Sequence, residues 1–276
     1  TYGKVLQKGA ANSWEAELHR PSVILDGTTY KMWYDGYSPV DQFGRIGYAT
    51  SPDGISWTKY SGNPVMTPGG NGGWDDWNVN SPSVLKDGSI YKMWYVAQSY
   101  QYSPLRIGYA MSSDGISWTK YAGNPVLVPG GNGGWDDKHV SEPFVMKDGT
   151  TYKMWYTGNS YFPDHPQIGL ATSTDGMSWT KYDKNPVLSV GSPSAWDAHE
   201  VLTGSVVFDG STYRMWYTGM DDPYGIERIG IAFGAPPIAH VEATLNIDPS
   251  SLNLKSKGKW ITGYIELPEG YYTNDI

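Results

Sequence analysis

The sequence predicts an all-β propeller made of four-stranded antiparallel blades. Three observations carry this expectation. The tripeptide Met-Trp-Tyr occurs at 32–34, 93–95, 154–156 and 215–217, each 61 residues from the last. Each repeat holds four strand-like runs with no helical period. Asp-Gly pairs, the dipeptide favoured in tight hairpins, punctuate the runs. A self-similar period of this length built only of strands is the mark of propeller blades.

The elements follow in order. Residues 3–9, "GKVLQKG", stand 60 positions before "NPVMTPG" at 63–69. They are therefore expected to supply the outer strand of the last blade. In the third repeat the four runs are "VSEPFVMKD", "TTYKMWYTG", "QIGLATS" and "WTKYDKNPVL". Asp-Gly turns at 148–149 and 175–176 join the first pair and the last pair. Tryptophans open the units at 14, 74, 135 and 196, and a second set falls at 57, 118 and 179. The fourth repeat reaches "RIGIAFG" at 228–234, and "APP" then replaces the expected turn. Its missing strand is the one residues 3–9 would provide, pairing with 228–234 to close the ring and remove its open edges. Four repeats account for 1–235. Residues 236–276 lose the repeat and read as a linker with a partial small β module.

Composition narrows the function classes. The chain has 276 residues, no cysteine and a net charge of −8. Sulfur redox chemistry is excluded, and the acidic balance argues against nucleic acid as a partner. No apolar run approaches the ~20 residues of a membrane span. Residue 1 is Thr, so a processed or trimmed form is expected. A secreted or cell-surface location and a monomer are expected separately. Thirteen Trp and 22 Tyr suit a β core, and the same ring faces stack on sugars.

The repeats also separate framework from site. A position filled alike in every blade is most simply structural. One that differs within a constant framework is where the ring has been individualised. The two Asp-Gly turns lie on one face and are nearly uniform. The other face carries four unlike segments, 35–44, 96–105, 157–166 and 218–227, and binding residues concentrate on such loops. The inner strands that meet there carry unlike polar residues: Glu17, Asn78, His139 and Glu200; then His19, Asn80, Ser141 and Leu202; then Arg20, Ser81, Glu142 and Thr203. Trp77 adds a ring beside them. Such polar residues on central strands are costly unless partnered. Together they form a candidate small-molecule site. Each has a structural alternative. Glu142 and Arg20 could be ion-pair partners, His19 and His139 satisfied core histidines, and His199 and Glu200 solvent-facing. The repeated acids Asp75, Asp76, Asp136, Asp137 and Asp197 read as turn caps. No compact ligand motif points to a metal, and no cofactor is expected, with a structural or channel ion such as calcium left open.

"SEPFVMKDGTTYKMWYTG" with "IGLATSTDGMSWTKYDKNPVL" resembles blades of the furanosidase-type propeller glycosidases, the clan of arabinanases, β-xylosidases, invertases and levansucrases, with mannoside phosphorylases as a related branch. The resemblance spans about 230 residues. It implies five blades where four repeats are counted, and an acid near the third-blade proline as general acid. Glu142 matches, although it stands one position before Pro143 where the clan's acid stands two before. The clan's first-blade acid is Arg20 here, and its second-blade acid is Ser81. The nearest alternatives are Glu15 and Glu17 in the first unit and Asp76 in the second. Glycoside cleavage needs two carboxyl groups, so Glu17 is expected as the second, with His139 orienting and His19, Arg20, Asn78, Asn80, Ser141, Glu200 and Trp77 binding substrate. Phosphorolysis, with Arg20 and His19 on phosphate, is an alternative chemistry. The leading expectation is a carbohydrate-active enzyme acting on a plant or microbial oligo- or polysaccharide. The alternatives are a non-catalytic sugar-binding propeller and a purely structural surface module.

Overall fold

The computed structural model describes residues 3–99, 104–223 and 225–234, together with the backbone of 244–247 and 263–266. The expected boundary at 235/236 and most of the 236–276 module lie outside the described residues. Among the described residues the chain is all-β, and no helix is long and apolar enough to cross a membrane.

Each repeat opens with two long strands and a third of seven or eight residues, and the first three add a short fourth. The first comprises β1 (Glu17–Asp26), β2 (Thr29–Tyr37), β3 (Gly44–Ser51) and β4 (Thr58–Lys59). The second comprises β5 (Asn78–Asp87), β6 (Ile90–Gln98), β7 (Arg106–Ser112) and β8 (Thr119–Lys120). The third comprises β9 (His139–Asp148), β10 (Thr151–Asn159), β11 (Gln167–Ser173) and β12 (Thr180–Lys181). The fourth has β13 (Glu200–Phe208), β14 (Tyr213–Met220) and β15 (Arg228–Gly234). Neighbouring strands within each of the first three repeats pair antiparallel. A separate hairpin pairs β16 (Thr244–Ile247) with β17 (Gly263–Glu266). The chain divides into two compact units, one of residues 1–207 with 214–232, the other of 208–213 with 233–276.

The fourth strand is shorter than its sequence suggests. Where "WTKYDKNPVL" predicts one continuous strand, only Thr180 and Lys181 ladder onto β11, and a single bridge joins Ile168 to Leu188. The gap is filled by Asn185. Its side chain accepts from the Leu170 amide at 2.8 Å and donates to the Leu170 carbonyl at 2.9 Å. Asn63 and Asn124 do the same for Tyr48 and Tyr109. A side chain thus replaces a stretch of backbone ladder.

This clamp explains a second departure. Residues 3–9 form no strand, and β15 lies in a sheet with β13 and β14 only. The expected pairing of 3–9 with 228–234 is therefore not formed. Gly3 occupies the place of Asn63, so the N-terminal segment has no side chain with which to grip a neighbouring strand. Leu6 packs instead beside Trp14, Leu18 and Trp57 against the buried Met32, Tyr34 and Ala49.

Successive repeats are locked face to face. Trp33, fully buried, donates its indole N–H to the Gly115 carbonyl of the next repeat at 2.8 Å, and Trp94 does the same to Gly176. Asp26 and Asp87 each gather two lysines and a tyrosine from their own and the following repeat. Ser22 and Ser83 accept the amides of Val84 and Val145, each at 2.9 Å. The two ends of the series differ. Val23 is 46% exposed where its sisters Val84, Val145 and Val206 are buried, and Trp216 is 40% exposed.

Candidate functional site

The first strands of all four repeats converge on one cavity of about 830 Å3. Its wall is made of residues 19–24, 81–84, 142–145 and 202–205, with Thr218 and Glu227. The sequence builds it through a repeated irregularity. The ladders of β1, β5 and β9 each skip two residues, the bulged pairs Arg20–Pro21, Ser81–Pro82 and Glu142–Pro143. The first residue of each pair has a left-handed backbone, with φ of +44° at Arg20 and +48° at Ser81 and Glu142. A non-glycine residue in this conformation costs roughly 1 kcal/mol, and bulges re-aim side chains. Here the bulge turns positions 20, 81 and 142 to the cavity wall. The fourth repeat has Gly204 in place of proline. A Cβ there would lie 2.0 Å from the Trp216 carbonyl oxygen, so only glycine fits.

At the centre, Arg20 Nε lies 3.3 Å from Glu142 Oε1, and Arg20 Nη1 lies 3.6 Å from Asp35 Oδ2. The Thr157 hydroxyl lies 3.2 Å from both Glu142 Oε2 and Thr203 Oγ1, and it accepts the Thr203 amide at 2.9 Å. The Glu142 side chain is 19% exposed. Burial pushes its carboxyl above the usual range, and the Asp35 charge adds to the rise, while Arg20 and Thr157 pull the other way. Burial likewise raises Asp35, against Arg20, His19 and the Ser81 amide. Glu200 is raised by burial and by the charges of Glu142, Glu227 and Asp164, with His199 opposing. The Arg20–Glu142 ion pair expected as the structural alternative is thus present, yet it does not bring Glu142 below the ordinary range.

The other expected site residues separate into two sets. His19, Arg20 and Glu142 line the cavity; Glu17, Trp77, Asn78, Asn80, His139, Ser141 and Glu200 are not among its wall residues. Glu17 is half-exposed, with His19 Nε2 3.5 Å away. Asn78 Oδ1 accepts the Gly44 amide, and His139 Nδ1 accepts the Leu105 amide at 3.0 Å. These two unlike residues perform one structural task, joining the head of a first strand to the repeat before it. Burial and Lys138 lower the His139 pKa, against Asp164, which favours the neutral ring that can accept this bond. Asn80 accepts from the Ser81 hydroxyl, and the Trp77 amide donates to the Gln98 carbonyl.

The repeated acids are framework, with Asp76 and Asp137 in turns as expected and Asp75, Asp136 and Asp197 holding side chains instead. Asp76 and Asp137 accept the amides of Gly72 and Gly133, each at 2.7 Å. Asp75 and Asp136 pair with Lys120 and Lys181 of their own repeats, as Glu15 does with Lys59. Asp197 accepts from the Tyr217 hydroxyl. Among the described residues no group of three or more His, Cys, Asp or Glu is arranged to hold a metal ion.

Asp35, Thr157 and Glu227 fall in the unlike segments 35–44, 157–166 and 218–227 but were not singled out from the sequence. The signal for Asp35 was available: its sisters are Val96, Thr157 and Thr218, so it is as individual as Glu142.

No family model matches the chain. It is 30% identical over 222 residues to the uncharacterized protein Rv1502 of Mycobacterium tuberculosis, covering 76% of this chain and 69% of that one. It is 26% identical over 206 residues to a 1,2-beta-oligomannan phosphorylase of Thermoanaerobacter, covering 67% of this chain and 68% of that one. Among solved structures, the family 117 glycoside hydrolase Zg3597 of Zobellia galactanivorans superposes with a TM-score of 0.61 at 20% identity, covering 82% of this chain and 73% of that one. The chain belongs to the same family as the Mycobacterium tuberculosis protein, and its fold is that of the furanosidase-type propeller glycosidases.

Proposed function

We propose that the chain acts on a carbohydrate bound in the central cavity, as a glycoside hydrolase or a divergent relative, with Glu142 as the general acid. The observation that carries this reading is the placement of Glu142. It is set at the cavity wall on a left-handed bulge, in a framework whose sister positions hold Arg20, Ser81 and Thr203. A buried carboxyl held above its usual range suits proton donation near neutral pH.

In this reading the bond between the anomeric carbon and the glycosidic oxygen breaks, and its electron pair stays on the oxygen. Glu142 gives that oxygen its proton. A water oxygen adds to the anomeric carbon, and a second carboxylate takes the water's proton. Of the two expected acids, neither of which is in the cavity wall, Glu200 is nearer to that second role than Glu17, because its carboxyl is partly buried and senses the Glu142 charge. Arg20, in contact with Glu142, and His19 beside it orient sugar hydroxyls.

Hydrolysis is preferred here to the phosphorolysis of the Thermoanaerobacter relative. Arg20, the cation that would hold phosphate, already faces both Glu142 and Asp35. The second reading, a non-catalytic sugar-binding propeller, is favoured by the same ion pair and by Arg20 and Ser81 standing where the clan carries acids.

The four repeats are taken as four blades of one propeller. The uncovered Val23 and Trp216 faces are where a further blade would pack. The natural ligand is taken as an extracellular plant or microbial glycan.

A panel of aryl glycosides and oligosaccharides, each tested with and without inorganic phosphate, separates the readings. Phosphate-independent release supports hydrolysis, and phosphate-dependent release supports phosphorolysis. Binding without release supports the non-catalytic module.

A further inference from the structure

The second strand of the first repeat carries an acid that its sisters lack. Asp35 is 4% exposed, and its Oδ1 is buried with no hydrogen-bond partner among the described residues. Its other oxygen faces Arg20 Nη1, while Arg20 Nε faces Glu142. One guanidinium is therefore divided between two carboxyl groups. A buried carboxylate oxygen without a partner is costly, so the fold gains nothing from this arrangement alone.

The repeats show that the framework does not need a charge here. Thr157 occupies the same place in the third repeat and accepts the Thr203 amide through its hydroxyl. Asp35 stands in the same relation to the Ser81 amide, which helps to hold its carboxyl down. A hydroxyl is enough to satisfy the next repeat's bulge, and Val96 shows that even an apolar side chain is accepted at this position.

We propose that Asp35 is a positioning residue for Glu142: it draws the Arg20 guanidinium partly away from the acid, so that Glu142 keeps a proton to deliver to a sugar oxygen. Asp35 does not line the cavity, so it acts through Arg20 and not on the substrate. This rests on the reading of Glu142 as the acid.

The charged groups around Glu142 are Arg20 on β1, Asp35 on β2 and Glu200 on β13, with His19 and Glu227 on the same cavity wall. The neighbours offered by β5 and β10, Ser81 and Thr157, are neutral. Removing the Asp35 charge takes a like charge away from Glu142 and leaves Arg20 free to pair with it fully. Both changes favour the carboxylate, so the Glu142 midpoint moves to lower pH.

The test is the variant Asp35→Thr, which copies Thr157 and so keeps the structural bond while removing the charge. The readout is a 13C titration of the whole chain labelled at glutamate side-chain carboxyls, with the Glu142 signal identified by its loss in Glu142→Gln. The expected result is a native-like spectrum and a Glu142 midpoint at lower pH than in the unaltered protein. Arg20→Ser, which copies the second repeat, moves the midpoint to higher pH. Should Asp35→Thr fail to fold, the isosteric Asp35→Asn carries the same measurement. A Glu142 midpoint that stays in place or rises when the Asp35 charge is removed overturns the proposal. The two readings fail separately. If the midpoint falls as expected but Glu142→Gln still cleaves glycosides at the unaltered rate, the positioning role stands and the acid role falls. If Glu142→Gln abolishes cleavage but the midpoint does not move, the reverse holds.

Discussion

Trp33 and Trp216 occupy the same position in the first and fourth repeats, and the structure predicts that they contribute very differently to stability. Trp33 is fully buried, packs tilted against Tyr91 and edge-on against Trp118 of the following repeat, and donates to the Gly115 carbonyl. Trp216 is 40% exposed. Truncating a buried large aromatic to alanine costs roughly 3–5 kcal/mol. The Gly115 carbonyl also loses its indole partner, which places Trp33→Ala toward the upper part of that range. A chain of this size shifts its melting temperature by roughly 2–4 °C per kcal/mol. Trp33→Ala should therefore lower the midpoint by roughly 6–20 °C. At Trp216 the exposed part of the ring loses no burial on truncation, so Trp216→Ala should cost clearly less than Trp33→Ala. The assay is thermal unfolding followed by near-ultraviolet circular dichroism, with both variants under one buffer and scan rate. Equal losses in the two variants would refute the claim that the tryptophan acts by packing onto the next repeat.

Two further predictions concern charge and backbone partners. Because burial raises the folded-state pKa of Glu142 above its unfolded value, the native protein binds the extra proton, and this contribution to stability is lost as pH rises through the folded pKa. Glu142→Gln should then match the unaltered protein below about pH 4 and be at least as stable at pH 7, as read by urea unfolding at both values; a variant less stable at pH 7 than at pH 4, relative to the unaltered protein, would contradict the sign. Ser83→Ala leaves the buried Val145 amide without its acceptor and should cost about 1–3 kcal/mol, with a negligible change in urea midpoint counting against an inter-repeat role for that bond.

Much of the architecture was legible because the repeats report on themselves. The third strand of the third repeat falls on 167–173 as the pattern predicts, and both Asp-Gly turns carry glycines at positive φ. The fourth strand was over-read because residue patterning does not reveal that Asn185 supplies backbone bonds from its side chain. The pairing of 3–9 was over-read for the same reason. Val5 and Leu6 match Val65 and Met66 in character, but Gly3 lacks the amide of Asn63. Within the site, unlikeness between sisters identified Glu142 and Arg20. It misdirected at Asn78 and His139, because an amide oxygen and an imidazole nitrogen can both accept one backbone N–H. Asp35 opens the unlike segment 35–44 but was not singled out, because that segment was read as a loop, whereas Asp35 still lies on the second strand, where the bulge brings it to Arg20.

The central claim is that Glu142 faces a ligand and that the fold does not require an acid there. The most direct measurement is the hydrolysis rate of Glu142→Gln on whichever glycoside the unaltered protein cleaves, taken beside its melting temperature. The account predicts a loss of roughly 100- to 10,000-fold, the usual weight of one general acid, with the melting temperature maintained. A variant that cleaves as fast as the unaltered protein but melts earlier would show that Glu142 is a structural partner of Arg20, and that the site lies elsewhere.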